Sequence, residues 1–397
     1  MTLTAVLVIV GLGVLLLPAA LAVLYLLGLT LLSWRLPTPA AEPGPWRFVV
    51  VVPAHNEAAG IGQTVASLRR LRWPSGQWRL VVVADNCTDA TANLARQAGA
   101  DVWERHDPTQ RGKGHALQFA LARLVPDTQL DAVVIVDADT QVSPNLLAAC
   151  AARLDRGAEA VQVYHGVANP AHSWRTQLAA IAYGAFHGVR SRGRERLRLS
   201  AGLRGNGMCF RTALLRRVPF TLNSLAEDLE YGAILGLHGV RVHYADEARA
   251  DADMVAQAAA AGRQRHRWEA GRLAVGRQYV GPLLRRAWRE RDPVALELAL
   301  ELLTLPLAQL VLWIIAVQVL AAIAALFWPA TMLWVGAGAA LLVALALHVL
   351  RGWQLSGTGP TALLALARAP FYLAWKMTAL IRERGTREWR RTDRDPP

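Results

Sequence analysis

Asp137 and Asp139 lie one residue apart and follow directly on the apolar run Val133-Val134-Ile135-Val136. Such a run reads as a buried strand of a parallel sheet. The carboxylates then emerge at the strand's carboxyl end, where open α/β sheets bind their ligands. Two acidic side chains there suit a divalent metal carrying a phosphate-rich ligand. Asp-x-Asp also arises by chance, and the chain holds a second one, Asp251-Ala252-Asp253. That one follows Ala248-Arg249-Ala250 instead of a hydrophobic strand and reads as a decoy.

Other chemistry-bearing residues are spread along the chain. Asp85 closes a second apolar run, Leu80–Val83, within Ala84-Asp85-Asn86-Cys87-Thr88-Asp89. A carboxylate there can accept hydrogen bonds from a nucleobase; the alternative is a helix cap, a need that Thr88 or Asp89 already serves. Pro53-Ala54-His55-Asn56-Glu57 ends the first strand on the same side. Gly112-Lys113-Gly114 opens a helix, where glycines permit close approach and a lysine can reach a phosphate; it lacks the Walker spacing. Glu227-Asp228 stands downstream, and after it Gln264-x-x-Arg267-Trp268. On a helix, Gln264, Arg267 and Trp268 share one face. An amide, a guanidinium and an indole together suit a sugar beside a diphosphate. An amphipathic helix with a buried tryptophan would show the same spacing.

The elements that must position these residues alternate between strand and helix. Strand-like runs at Phe48–Val52, Leu80–Val83 and 133–136 are separated by helical stretches at 58–72, Ala90–Gly99 and Gly114–Leu124, with another helix from Pro144. This alternation predicts an α/β fold with a doubly wound, mostly parallel sheet. Residues 161–253 are less regular. Within them Arg190, Arg192, Arg194, Arg196 and Arg198 alternate with other residues, and the stretch reads as a solvated or membrane-facing loop.

Apolar segments flank this core. Residues 3–34 would make a helix of about 48 Å, against a hydrocarbon core of about 30 Å. They read as one uncleaved membrane helix, since no basic region precedes them. A proline-rich linker covers 36–47. Residues 254–292 read as a helix followed by a basic interfacial segment with Trp288. Asp292-Pro293 is a helix start; Glu297 and Glu301 follow it, with Arg285 or Arg286 as expected partners. Leu302–Phe327 and Thr331–Leu350 then form a transmembrane hairpin, broken at Trp328-Pro329, within 293–350. In 351–397, Arg368 and Lys376 argue against another span, because a mid-bilayer cation costs about 2.5–3.5 kcal/mol. That part reads as an interfacial amphipathic helix and a basic tail. The positive-inside rule then places the core, residues 48–253, on the cytoplasmic face of a multi-pass inner-membrane protein.

Composition agrees. The chain of 397 residues is 53% hydrophobic with a net charge of +13. Its basic groups adjoin apolar spans, which favours anionic membrane lipids over nucleic acid as the partner. The three cysteines, Cys87, Cys150 and Cys209, are scattered, which fits a reducing compartment.

Taken in order, Pro53–Glu57, Asp85, Gly112–Gly114, Asp137–Asp139, Gly205-Asn206-Gly207, Glu227-Asp228 and Gln264–Trp268 resemble the membrane-embedded family 2 glycosyltransferases. These are the relatives of cellulose, hyaluronan and poly-N-acetylglucosamine synthases. The resemblance covers roughly residues 46–275 and implies a GT-A fold and inversion at the anomeric carbon. It implies that Asp85 binds the base, and that Asp137 and Asp139 hold the sugar diphosphate and its Mg2+ or Mn2+, with Asp139 the closer ligand. Asp228 would be the general base. Glu57 and Lys113 would touch the nucleotide. Arg267 would hold the diphosphate, with Glu227, Gln264 and Trp268 on the acceptor side. Two positions depart from the family's habit: Ala84, where a second Asp often stands, and Ala226, where many base motifs begin with Thr.

The expected function is transfer from a nucleotide sugar, UDP-linked, to a growing β-linked glycan. Single transfer to a lipid, as by ceramide glucosyltransferases, resembles the same motif set and fits a low span count. Three helices give little wall for a polymer channel unless accessory subunits or oligomers supply it. An inactive nucleotide-binding scaffold is the reading from another class; Asp85, Asp137, Asp139 and Asp228 together speak against it.

Overall fold

The structure, a computed structural model, describes residues 2–39, 45–222, 224–254 and 258–368, with the backbone alone for 258–267. The first helix, α1 (Leu3–Leu31), is unbroken and carries Pro18 within it. The α/β core then begins. Its elements are β1 (Phe48–Ala54), α2 (Ile61–Leu68), β2 (Trp78–Asp85), α3 (Thr91–Gln97), β3 (Asp101–Arg105), α4 (Lys113–Leu124), β4 (Ala132–Ile135), β5 (Thr140–Val142), α5 (Leu146–Leu154) and β6 (Ala160–Val167). There follow α6 (Trp174–Tyr183), a π-helical segment (Gly184–Val189), α7 (Arg190–Arg196), β7 (Met208–Arg211), α8 (Thr212–Arg217), α9 (Glu227–Leu237) and β8 (Val242–Ala252). Next come α10 (Ala258–Glu290), α11 (Pro293–Leu303), α12 (Leu307–Ala325), α13 (Met332–Ser356) and α14 (Thr361–Leu366).

The eight strands form one mixed sheet in the order β3-β2-β1-β4-β7-β6-β8-β5. Its first half is parallel, as the alternation predicts: Ala54 pairs with Ala84, and Val51 with Ile135, so the carboxyl ends of β1, β2 and β4 lie side by side. β7 runs antiparallel to β4 and β6, and β5 antiparallel to β8. β1 is buried along its whole length. Two apolar cores, one on each face, hold the sheet, with Val50 and Val52 on one side and Val49 and Val51 on the other. That is the period-2 alternation of a strand covered on both faces.

Three helices, Leu3–Leu31, Leu307–Ala325 and Pro329–Ser356, are long and apolar enough to cross a membrane. They pack on one another. Leu12, Leu16, Ala19, Val23 and Leu26 of α1 meet Leu310, Ile314, Val317 and Ala321 of α12 and Leu345 of α13. The α1 positions recur every three or four residues, the stripe a helix turns toward a partner. Leu7, Val14, Leu21 and Leu24 of α1 face outward.

The arginine-rich stretch is helical, which corrects the loop reading. Arg190 and Arg194, one turn apart on α7, are buried. Arg194 pairs with Glu297 and Glu301 of α11 at 2.5 and 3.0 Å, so a buried acidic face is what lets a polar sequence fold inward. Glu297 and Glu301 therefore do not pair with Arg285 or Arg286; Arg286 instead holds Asp292 and Glu290, each at 2.8 Å. Asp292 caps α11 as expected, accepting from the Val294 and Ala295 amides. α11 ends at Leu303, and Pro306 breaks the chain before α12, so the span begins later than Leu302. Ala258–Glu290 form one long helix with Pro282 inside, not a helix and a separate segment. Pro370, Lys376 and the basic tail lie outside the described residues.

Candidate active site

The carboxyl edge of the parallel half gathers the chemistry. β1 ends at Ala54, and Asn56 just beyond it turns with φ +54. Asn56 bridges to the next loop, accepting from the Thr88 amide at 2.7 Å and donating to the Thr88 hydroxyl at 3.1 Å. The Glu57 amide donates to Thr91 Oγ1 at 2.7 Å, which brings Glu57 to the mouth beside β2.

Asp85 is buried, at 3% exposure, at the end of β2. Asp85 and Arg105 are paired across β2 and β3, and Arg105 Nη1 donates to Asp85 Oδ1 at 2.6 Å. Asn86 Nδ2 donates to the same oxygen at 3.1 Å, and His55 Nδ1 to the Asp85 carbonyl at 2.7 Å. Asp85 is thus fixed in orientation and is not a helix cap. Arg105 escaped the sequence reading because nothing local marks the last residue of a short edge strand as the partner of a carboxylate 20 positions earlier.

Asp137 and Asp139 leave the end of β4 as expected. The Asp137 amide donates to Asn206 Oδ1 at 3.1 Å, while Asn206 Nδ2 donates to Thr140 Oγ1 at 2.7 Å. A fully buried Asn206 therefore pins the turn on both sides. Its place between two glycines was the only signal. Asp251, of the second Asp-x-Asp, pairs with Arg249 at 2.9 Å, consistent with the decoy reading. The Asp253 amide donates to the Asp139 carbonyl at 3.3 Å.

Lys113 opens α4, and its side chain crosses to β4. Nζ lies 2.6 Å from Asp137 Oδ1, donates to the Gly205 carbonyl at 2.5 Å, and stands 3.9 Å from Glu227 Oε1. Burial works against its charge, but Asp137 and Glu227 hold the ammonium above the ordinary lysine range. Glu227 and Asp228 begin α9, where the helix dipole favours anions. Burial pushes Glu227 up to about 7, with Asp228 adding and Lys113 opposing. Burial also raises Asp228, against the pull of Lys113. A Cβ on Gly205 (φ +77) would lie 3.1 Å from Asp228 Oδ2 and 3.7 Å from Lys113 Nζ; glycine lets this turn pass between them.

α10 runs past the start of α9. A Cβ on Gly271 would lie 2.8 Å from that of Ala226, so the turn of α10 after Trp268 touches the residue before Glu227. Trp268 is 41% exposed and not a buried core tryptophan. The side chains of Gln264 and Arg267 lie outside the described residues.

Three rings, missed by the sequence reading, close the other side. Tyr183 packs edge-on to His165 and His187, with centroids 5.1 and 4.5 Å away. Burial, then the charges of Asp139, Asp137 and Asp228, push the Tyr183 phenol upward. Burial drops His165 to about 4, so it stays neutral. His187 belongs to the π-helical segment, an irregularity frequent at functional sites.

Among the described residues, no group of three or more His, Cys, Asp or Glu side chains is arranged to hold a metal ion. Asp137 and Asp139 offer hard oxygen donors from one turn. That donor set fits Mg2+ or Mn2+, which binds through one or two carboxylates plus substrate phosphates and not in an all-protein cage.

Residues 43–271 match the family described as "Glycosyltransferase like family 2". This chain belongs to the family 2 glycosyltransferases. The match covers the whole sheet and the first part of α10. Among curated relatives of this glycosyltransferase, a β-monoglucosyldiacylglycerol synthase of Nostoc sp. is 27% identical over 231 residues, 56% of this chain and 48% of that one. The enzyme of the same name from Synechocystis sp. is 30% identical over 235 residues, 56% of this chain and 47% of that one. A probable glucomannan 4-β-mannosyltransferase of Arabidopsis thaliana is 25% identical over 255 residues, 60% and 46%. The chain spans about half the length of these relatives. Among solved structures, a mannosyltransferase of Pyrobaculum calidifontis, in complex with GDP-mannose and Mn2+, superposes with a TM-score of 0.54 at 18% identity, covering 96% of this chain and 99% of that one. The glycosyltransferase therefore has the GT-A fold, with three candidate membrane helices beside it.

Proposed function

We propose that this glycosyltransferase moves one sugar, with inversion, from a nucleotide donor to a hydroxyl of a membrane lipid at the cytoplasmic face of the inner membrane. The observation that carries the lipid reading is the packing of α1, α12 and α13. Their facing side chains fill a shared apolar core, which leaves these three spans no channel between them for a polymer. The site meanwhile lies next to the spans: α6 and the π-helical segment bear Tyr183 and His187 and pack against α13. The relatives named as glucosyldiacylglycerol synthases favour the same acceptor class. Glycan extension, the first expectation, uses the same chemistry and stays an outcome of the test.

The donor's base sits against Asp85 and Glu57, with Asp85 oriented by Arg105. Asp139 and Asp137 hold the diphosphate end together with a divalent cation, which when bound offsets charge on the leaving oxygens. Lys113 adds a fixed cation beside Asp137, and the family resemblance assigns Arg267 to the diphosphate. Trp268, Gln264 and Glu227 line the acceptor side. The acceptor hydroxyl gives its proton to Asp228 as it attacks the anomeric carbon from the face opposite the leaving group. One displacement inverts that carbon, so no covalent nucleophile is required.

The test is nucleotide release from a panel of UDP- and GDP-sugars by the purified protein in nanodiscs, with Mg2+ or Mn2+ and lipid extracts. One added sugar per lipid supports the reading, a ladder of products points to polymer extension, and no release with any donor counts against an enzyme.

A further inference from the structure

Buried charges join the membrane-proximal helices to the loop that shapes the site. Arg194 of α7 pairs with Glu297 and Glu301 of α11, and Arg204 Nη1 pairs with Glu301 Oε1 at 2.8 Å. All four side chains are at most 3% exposed. Tyr25 of α1 donates to Glu297 Oε1 at 2.7 Å and accepts from Arg194 Nη2 at 2.8 Å. The far end of this chain of contacts is the catalytic loop. Arg204 immediately precedes Gly205, whose carbonyl accepts from Lys113, and next comes Asn206, whose side-chain oxygen accepts from the Asp137 amide.

Arg204 is gripped from several sides. Its amide donates to Gln162 Oε1 at 2.9 Å, its carbonyl accepts from His165 Nδ1 at 3.1 Å, and Nη2 reaches the Ala201 carbonyl at 2.9 Å. Its guanidinium also lies 4.3 Å from the Phe186 ring. Of these partners only Glu301 carries a compensating charge. Glu301 is itself placed by helix packing: Arg272 of α10 reaches the Glu301 and Leu302 carbonyls, each at 3.0 Å. Buried ion pairs often add little stability over an apolar replacement and are best attested as registry devices. A network of this kind between membrane helices and a catalytic loop fits that use.

We propose that Glu301 is a positioning residue: through Arg204 it fixes the 202–207 loop, so that the Lys113–Asp137 geometry depends on how α11 docks against α1 and α7. Its consequence for turnover rests on the function proposed above; its consequence for the loop does not.

The test uses Glu301→Gln in the full chain in nanodiscs, read in two ways. Hydrogen exchange should rise about ten-fold at the amides of 202–207, while β1 and β2 stay as in the unmodified protein. At saturating acceptor, kcat should fall about 10²-fold with the donor KM shifted less than about three-fold, the pattern of misplacement and not of lost binding. Glu301→Asp, which keeps the charge, should recover part of kcat. The loss should be sub-additive with that of Asn206→Ala, because both act through one loop. Unchanged exchange in 202–207, or additive losses, would overturn the proposal. Should Glu301→Gln fail to fold, Arg204→Lys keeps the charge, loses the fork and faces the same readings. A chain that turns over no donor sinks the functional reading, and the exchange result still decides the role of Glu301.

Discussion

Lys113 and Asp137 are joined at 2.6 Å, and the same ammonium stands 3.9 Å from Glu227. One cation therefore touches the carboxylate expected to hold the donor and faces the pair expected to serve the acceptor. On the proposed assignment, Lys113 of α4 couples the donor and acceptor sides electrically.

Removing that cation should hurt catalysis more than folding. Lys113→Met leaves Asp137 with its amide contact to Asn206 but without a counter-charge. Turnover should drop about 10²-fold or more, the scale of losing one fixed stabiliser of transition-state charge. A steady-state comparison of kcat beside a melting curve checks this, and a variant within two-fold of the parent would remove Lys113 from the account.

The pH profile carries a second expectation. As the proposed base, Asp228 acts only when ionised, and burial raises its carboxyl. Activity should therefore climb as pH rises through a limb displaced above the ordinary carboxylate range of about 4. Stability runs the other way. A raised carboxyl favours the fold below its unfolded pKa, and that contribution fades as pH climbs to the folded value. Because Lys113 pulls Asp228 down, Lys113→Met should move the acid limb to higher pH. Rate measurements from about pH 5 to 9 check the sign; a limb at the ordinary carboxylate position would contradict the burial argument.

Arg105 and Asp85 give a third prediction. Arg105→Met strands a buried carboxylate and should cost about 3–5 kcal/mol of stability. Adding Asp85→Asn should restore much of that loss without restoring affinity for the nucleotide, because the base-facing carboxylate is then gone. Unfolding curves and nucleotide titrations on the single and double variants separate the two effects. Full nucleotide affinity in the double variant would remove Asp85 from the base site.

The membrane side offers a fourth. A Cβ on Gly352 would lie 2.7 Å from the Ala185 backbone nitrogen, so α13 and the π-helical segment meet backbone to backbone. Gly352→Leu should force them apart at about 1–3 kcal/mol or more, lowering the melting temperature in detergent and disturbing His187 in the same segment. An unchanged melting temperature would mean that this contact does not hold the helices together.

Much of this site was legible in the chain. β1, β2 and β4 are apolar runs that lead into Pro53–Glu57, Asp85 and Asp137-Ala138-Asp139, and burial on both faces is what makes such runs conspicuous. β8 is different: Glu247 and Arg249 sit on it and are satisfied by Arg153 and Asp251, partners that a one-dimensional pattern does not reveal. The same holds for α7. Its arginines look like a solvated surface until Glu297 and Glu301, about a hundred residues later, are folded against them. Arg105 and Asn206 meet Asp85 and Asp137 only once the strands are assembled, and Tyr183 meets His165 only once α6 packs beside β6.

The central claim is that Asp228 draws the proton from a lipid hydroxyl as the sugar leaves its nucleotide. The most direct measurement compares the parent chain with Asp228→Asn in nanodiscs, following both nucleotide-diphosphate binding and the glycolipid formed. The account predicts binding within a few-fold and transfer lowered by about 10²–10⁴. Undiminished glycolipid formation by Asp228→Asn would contradict it.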